Sequence, residues 1–88
     1  MIEKKVVVLN RAGLHTRPAA SIVKLASKFK SEIYLVRDKF SINGKSIIGV
    51  MTLAAEQGSE ILVRASGSDE NEAIEEIVKL FEAGFGEL

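Results

Sequence analysis

The hydrophobic pattern of this 88-residue chain changes several times between strand-like alternation and helical spacing. Alternation with a period of two is typical of a half-buried strand, whereas apolar residues at every third or fourth position are typical of an amphipathic helix. The pattern predicts strands over 2–9, 32–37, 40–42 and 60–66, and helices over 19–29, 47–53 and from a cap at Ser68 or Asp69 to Gly84. The predicted element order is therefore β-α-β-β-α-β-α.

This order predicts an α+β fold. The strands are apolar on one side only, which favours an antiparallel sheet with the helices covering one face. A right-handed crossover makes the first two strands parallel and leaves a gap between them. The third strand in this gap gives the order 4-1-3-2, and the fourth strand gives 1-4-2-3. Strand directions alone allow both orders.

Composition narrows the classes of protein that the chain can belong to. Its 12 Lys and Arg residues balance its 12 Asp and Glu residues, whereas a general nucleic-acid binder would show a basic excess. The chain has no cysteine, and its apolar runs are too short for a membrane span or a signal peptide. We therefore expect a single domain over residues 1–88 that is soluble and cytoplasmic, with no nucleic-acid partner and no membrane insertion.

The junction between the first strand and the first helix concentrates the reactive residues. His15 is the only histidine, Pro18 is the only proline, and Gly13 and Arg17 lie beside them. A neutral histidine can act as a base or a nucleophile, while a helix N-terminus and an arginine fork both suit phosphate oxygens. Gly13 would let another backbone or a ligand come close. This combination indicates that His15 itself receives a phosphoryl group.

Other roles for a single histidine are less well supported by the sequence. A lone histidine in a small protein is usually a surface or capping residue. It cannot build a metal site alone, and without cysteine only carboxylates could complete one. No nucleophile turn of the GxSxG kind is present for a serine triad. We expect neither a metal nor a cofactor.

The chain resembles a known protein family over essentially its whole length, and two sequence motifs show this resemblance most clearly. The segments GLHTRPAA (13–20) and NGKSIIGVM (43–51) resemble those of HPr, the histidine-containing phosphocarrier family of the bacterial phosphoenolpyruvate:sugar phosphotransferase system. The resemblance implies an open-faced β-sandwich with strand order 1-4-2-3 and three helices on one face. It also implies that the first helix starts near Thr16, whereas helix propensity alone places the start at Pro18.

The resemblance implies a stoichiometric phosphoryl carrier rather than an enzyme. His15 Nδ1 would accept a phosphoryl group from a phosphohistidine of enzyme I, which phosphoenolpyruvate has charged. The carrier would then pass the group to a histidine on a sugar-specific IIA domain. Arg17 and the helix N-terminus at Thr16 would stabilise the phosphoryl oxygens. The protein is expected to act as a monomer.

The second motif predicts a regulatory site. Ser46 is expected to cap a short helix, which is an ordinary structural role. The resemblance adds phosphorylation of Ser46 by an ATP-dependent HPr kinase/phosphorylase, with a catabolite-control transcription regulator as a further partner. Ile47, Val50 and Leu53 can pack inward, whereas Ile48 points away. The family pattern places partner docking on the first turns of helices one and two: Thr16, Arg17, Ala20, Lys24, Ile47, Ile48 and Met51.

The chain departs from the family pattern in three places. Ala12 stands where many relatives have a polar side chain that orients the site, and the role of Arg11 is unassigned. Some relatives hold their arginine with a C-terminal carboxylate, a contact that is not transferred to this tail.

Two alternatives to the carrier stay open at this point. One is a regulatory protein of the same fold that acts mainly through Ser46. The other is a ferredoxin-like acyl-phosphate hydrolase or single-stranded nucleic-acid binder, for which Tyr34 and Val36 on the open sheet face are thin support.

Overall fold

A computed structural model describes all 88 residues and contains every predicted element in the predicted order. The elements are β1 (Ile2–Val7), α1 (Thr16–Ala26), β2 (Glu32–Arg37), β3 (Phe40–Asn43), α2 (Ile47–Thr52), β4 (Glu60–Ser66), α3 (Glu70–Glu82) and a 3-10 turn (Gly84–Gly86). The first strand is shorter than predicted. The first helix begins at Thr16, as the resemblance implied, and ends at Ala26 rather than at residue 29.

The four strands form one antiparallel sheet in the order β1-β4-β2-β3. This confirms the order 1-4-2-3 and excludes 4-1-3-2. Strand β4 lies inside the sheet between β1 and β2, and its Ile61, Val63 and Ala65 side chains are all buried. The short strand β3 has mostly exposed residues and lies at an edge, where fewer apolar contacts are needed.

The three helices cover one face of the sheet, and the other face is open to solvent. Phe81 of α3 and Ile22 of α1 are the largest fully buried side chains among the 19 residues of the core. The helices make one apolar layer against the sheet, which is the arrangement that one-sided alternation predicts. No helix combines the length and the apolar character that crossing a membrane requires.

The start of α3 differs in detail from a simple capped helix. Asp69 occupies the predicted cap position, but its side chain makes no capping bond. Instead its carboxylate accepts hydrogen bonds from the Ser31 hydroxyl at 2.5 Å and from the Lys30 and Ser31 amides at 2.8 and 2.9 Å. The hydroxyl bond, followed by the Lys30 amide bond, lowers the pKa of Asp69 to about 2. Asp69 therefore ties α3 to the connection between α1 and β2.

Candidate functional site

The candidate site lies where the chain leaves β1 and enters α1. His15 is the N-cap residue of α1, with an extended backbone at φ −76° and ψ −171°. Its carbonyl accepts the first helical bond from the Ala19 amide at 3.0 Å, while its ring makes no capping bond and stays 41% exposed. The amides of Thr16 and Arg17 have no intrahelical partner, as at any helix start. These unpaired N–H groups and the positive end of the helix dipole favour the binding of an anion beside the ring.

Gly13 brings the site loop against the segment that follows α2. Its φ is +73°, and a Cβ atom there would collide with the Ala55 carbonyl oxygen. That oxygen accepts a hydrogen bond from the Leu14 amide at 2.9 Å. The loop therefore requires a glycine at this position for both backbone conformation and space. As a result, His15 and Met51 line the same shallow cleft.

The C-terminal tail turns back toward the site. Gly84, Phe85 and Gly86 all have positive φ angles, at 58°, 58° and 75°. Such angles are strained for Phe85, which has a side chain. Its ring is only 8% exposed and meets the ring of Phe81 edge-on, with a centroid distance of 4.9 Å and an interplanar angle of 66°. This packing holds the turn and directs Glu87 toward α1.

Glu87 contacts His15 directly. Both carboxylate oxygens of Glu87 lie 3.1 Å from His15 Nε2, and one of them accepts a hydrogen bond from Asn10 Nδ2 at 2.9 Å. The hydrogen bond from His15 lowers the pKa of Glu87, and the bond from Asn10 and the nearby charge of Arg17 lower it further. The other ring nitrogen of His15, Nδ1, takes part in no hydrogen bond. The ring is therefore anchored on one side and free on the other.

Asn10 connects the loop that contains His15 to the C-terminal tail. It is fully buried, and its Nδ2 group donates to the Gly13 carbonyl at 2.8 Å as well as to Glu87. One side chain thus fixes both the site loop and the tail. Arg17, by contrast, is exposed and forms no hydrogen bond or ion pair, so its guanidinium is free to meet an anion.

The second predicted site, around Ser46, lies at the start of α2. Ser46 caps this helix, with its hydroxyl accepting from the Gly49 amide at 3.1 Å, which confirms the predicted structural role. Ile48 is 74% exposed and Met51 is 42% exposed, so both side chains point outward. Val50 and Leu53 are buried as predicted.

The prediction that Ile47 packs inward is wrong, because its side chain is 38% exposed at the helix start. Of the predicted docking residues on α1, Thr16, Arg17, Ala20 and Lys24 are all exposed. Their spacing of three and four residues puts them on one helix face.

Asn10 and Glu87 are the two site residues that sequence reasoning missed. From the sequence, Asn10 had no assigned role, and no tail contact was transferred to the site. The tail nevertheless reaches it, through a side-chain carboxylate, and its hydrogen bond goes to His15 rather than to Arg17. The available signal was small: one acidic residue that follows two glycines near the C-terminal end.

Comparisons with known proteins agree with this architecture. A family model described as the PTS HPr component phosphorylation site matches residues 2–83. The chain is 53% identical over 87 residues to the phosphocarrier protein HPr of Treponema pallidum, with 99% of both sequences covered. It is 43% identical over 77 residues to the HPr-like protein Crh of Bacillus subtilis, covering 88% of this chain and 91% of Crh.

Structural similarity is equally extensive. The crystal structure of HPr-C-His from Thermoanaerobacter tengcongensis superposes with a TM-score of 0.96 at 45% sequence identity, covering 100% of this chain and 99% of that chain. The match includes all three helices and the sheet order. The chain therefore belongs to the HPr family, the phosphocarrier proteins of the phosphotransferase system.

Proposed function

We propose that His15 carries a phosphoryl group from phospho-enzyme I to sugar-specific IIA domains during phosphoenolpyruvate-dependent sugar uptake. The supporting observation is the ring itself, which Glu87 holds at Nε2 while Nδ1 makes no hydrogen bond. A nucleophilic nitrogen at an exposed helix start can meet the phosphohistidine of a partner across an interface. Transfer between two histidines needs alignment and charge stabilisation more than covalent machinery.

The start of α1 supplies the charge stabilisation. The free amides of Thr16 and Arg17 can donate hydrogen bonds to phosphoryl oxygens on His15, and the positive end of the helix dipole favours their negative charge. The Arg17 guanidinium, which has no protein partner, adds a flexible cation. Because the ring is 41% exposed, water continues to compete for the phosphoryl oxygens. Such a site holds the group without trapping it, so the protein serves as a stoichiometric carrier and turns nothing over alone.

Phosphoryl transfer from labelled phosphoenolpyruvate tests the proposal. The chain is mixed with enzyme I, and we expect an acid-labile, base-stable label that His15→Ala abolishes. Ser46→Ala is the matched control and should keep the label, because its hydroxyl is outside the transfer step. A wild-type chain that takes no label would refute the carrier function.

Ser46 is the proposed regulatory site, modified by an HPr kinase/phosphorylase. Phosphate there would add about 1.5 to 2 negative charges at the start of α2, next to the exposed side chains of Ile47 and Ile48. These apolar side chains suit a docking surface, and a charge beside them would raise the desolvation cost of docking. We propose that the docking surface comprises Thr16, Arg17, Ala20, Lys24, Ile47, Ile48 and Met51.

A mainly regulatory protein is the second candidate function. The identity of 43% with the HPr-like protein Crh supports it, and a catabolite-control transcription regulator would then be the principal partner. The His15 and Arg17 pair favours the carrier, because a purely regulatory protein would not need it. The labelling experiment separates the two, since a purely regulatory protein takes no phosphate from enzyme I. The cytoplasmic location and the monomeric state stay predictions.

A further inference from the structure

The contact between Glu87 and His15 constrains where the ring carries its proton. A neutral imidazole has one N–H group and one lone pair, and a carboxylate can only accept. Both oxygens of Glu87 face Nε2 at 3.1 Å, which would be repulsive if Nε2 presented its lone pair. The carboxylate itself is ionised, because Asn10 donates to it and its pKa is lowered. Nε2 must therefore hold the proton.

We infer that Glu87 is a positioning residue that holds His15 in the tautomer with Nε2 protonated and the Nδ1 lone pair available to phosphorus. This inference deepens the proposed carrier function and rests on it. Two further charged side chains lie near the ring, Arg17 in the first helical turn and Glu56 in the cleft wall. Neither makes a hydrogen bond to His15, so Glu87 is the group that selects the tautomer.

The Glu87 carboxylate stabilises the His15 ring both when the ring accepts the phosphoryl group and when it releases it. On loading, the Nδ1 lone pair forms the new N–P bond while the P–N bond of the donor histidine breaks and returns its electron pair to that nitrogen. The His15 ring becomes a cation that still carries its Nε2 proton, and Glu87 faces that positive charge. On unloading, the N–P electron pair returns to Nδ1, and the ring leaves as neutral imidazole because Nε2 kept its proton. Without that proton the leaving group would be an imidazolate anion.

Three contacts keep Glu87 in place. Asn10 is fully buried and donates to the Glu87 carboxylate, so it restricts rotation of that side chain. Asn10 is itself fixed through its bond to the Gly13 carbonyl. Phe85 anchors the preceding turn in the core. A positioning group held by rigid neighbours fixes ring orientation as well as protonation.

The tautomer ratio of His15 tests the inference directly. His15 is the only histidine, so the nitrogen NMR signals of its ring need no separate assignment. Spectra are recorded on ¹⁵N-labelled chain over a series of pH values, and the tautomer ratio is taken at the alkaline limit, where the ring signals no longer change with pH. In Glu87→Gln the amide can donate or accept, so it no longer selects a tautomer. We expect the ratio of Nε2–H to Nδ1–H ring to fall by about tenfold, in line with a lost hydrogen bond to a charged group.

Two matched variants complete the experiment. Glu82→Gln removes the same charge from the end of α3, where Glu82 forms no ion pair, and should leave the ratio unchanged. Glu87→Asp keeps a carboxylate that is one methylene shorter and should recover part of the ratio. Transfer from phospho-enzyme I should slow in the same order, with Glu87→Gln the slowest at about tenfold.

The outcome that overturns the inference is a Glu87→Gln chain whose tautomer ratio equals that of wild type or falls no further than in Glu82→Gln. This measurement uses the isolated chain, so it does not depend on any partner. A wild-type chain with the expected tautomer that nevertheless takes no label from enzyme I would refute the carrier function while supporting the proton assignment. The two failures are therefore distinguishable.

Discussion

Replacing Phe85 by alanine should release the C-terminal tail from the core and separate Glu87 from His15. Phe85 is the only large side chain between the end of α3 and Glu87, since Ala83, Gly84 and Gly86 complete the segment. The ring of Phe85 is 8% exposed and packs on Phe81. The variant therefore removes the anchor of the tail while leaving every group at the site chemically intact.

The expected cost can be worked from the contacts of the ring. Truncating a buried phenylalanine to alanine costs about 3–5 kcal/mol, and an edge-on aromatic pair contributes about 0.5–1.5 kcal/mol. A chain end can relax around the vacated space, so we expect a loss near the lower limit, about 3 kcal/mol of unfolding free energy. Alanine at position 85 keeps the strain of a positive φ, so none of this loss is recovered. Domains have about 5–15 kcal/mol of stability, so the variant should remain folded.

Two measurements on one sample check this prediction. Urea unfolding followed by circular dichroism gives the free energy, and the ¹⁵N spectrum of His15 gives the tautomer ratio. Phe85→Leu keeps an apolar side chain and should cost less than about 1.5 kcal/mol with the ratio retained. If Phe85→Ala loses stability but keeps the wild-type ratio, the tail does not position Glu87. If stability is unchanged, the ring is not part of the core.

Two further predictions concern other parts of the molecule. Ser46→Asp should weaken binding to enzyme I by at least about tenfold, because a charge beside the exposed Ile48 must lose water on docking. Calorimetry measures the affinity for enzyme I. An affinity equal to that of wild type would contradict the proposed regulatory role of Ser46. Its unfolding free energy should stay within about 0.5 kcal/mol of wild type, because aspartate caps a helix as well as serine does. Asp69→Asn should reduce the dependence of the unfolding free energy on pH in the acid range. The hydrogen bond from the Ser31 hydroxyl lowers the pKa of Asp69 to about 2. The stabilisation from this carboxylate is therefore complete above the unfolded pKa of about 3.9 and is lost as the pH falls toward 2. Urea midpoints between pH 2 and pH 7 measure this slope, and parallel profiles for wild type and variant would contradict the reasoning.

Much of the fold was predictable because hydrophobic periodicity is local. Strands β2 and β4 coincide with their predicted ranges, since 32–37 and 60–66 are short apolar runs, rich in β-branched residues, that end at the turn-forming residues Asp38 and Gly67. The choice between the two sheet orders was not local. Strand directions are the same in both, and only the resemblance to a known family selected the order that the structure confirms.

The position of His15 at the candidate site was predictable from the sequence, whereas the contacts that Asn10 and Glu87 make there were not. His15 stands out as the only histidine at a strand-to-helix junction, and helix-start chemistry follows from its neighbours. Glu87 lies 72 residues away, and its approach depends on a left-handed conformation at Phe85 that its side chain disfavours. Packing against Phe81 imposes that conformation, and periodicity carries no information on it. Ile47 illustrates the same limit, because helical spacing does not show that the first residue of α2 is left partly exposed.

The placement of the two chain ends has a practical consequence for tags and dyes. The Met1 ammonium pairs with Glu70 at the start of α3, at 3.1 Å, whereas Glu87 lies against His15. Strand β1 separates these ends by about 20 Å, at about 3.3 Å per residue. An affinity tag or fluorophore attached before Met1 would therefore lie away from His15, although it would replace the ammonium that pairs with Glu70. The same attachment after Leu88 would be separated from Glu87 by a single residue and would crowd His15, the proposed site of transfer.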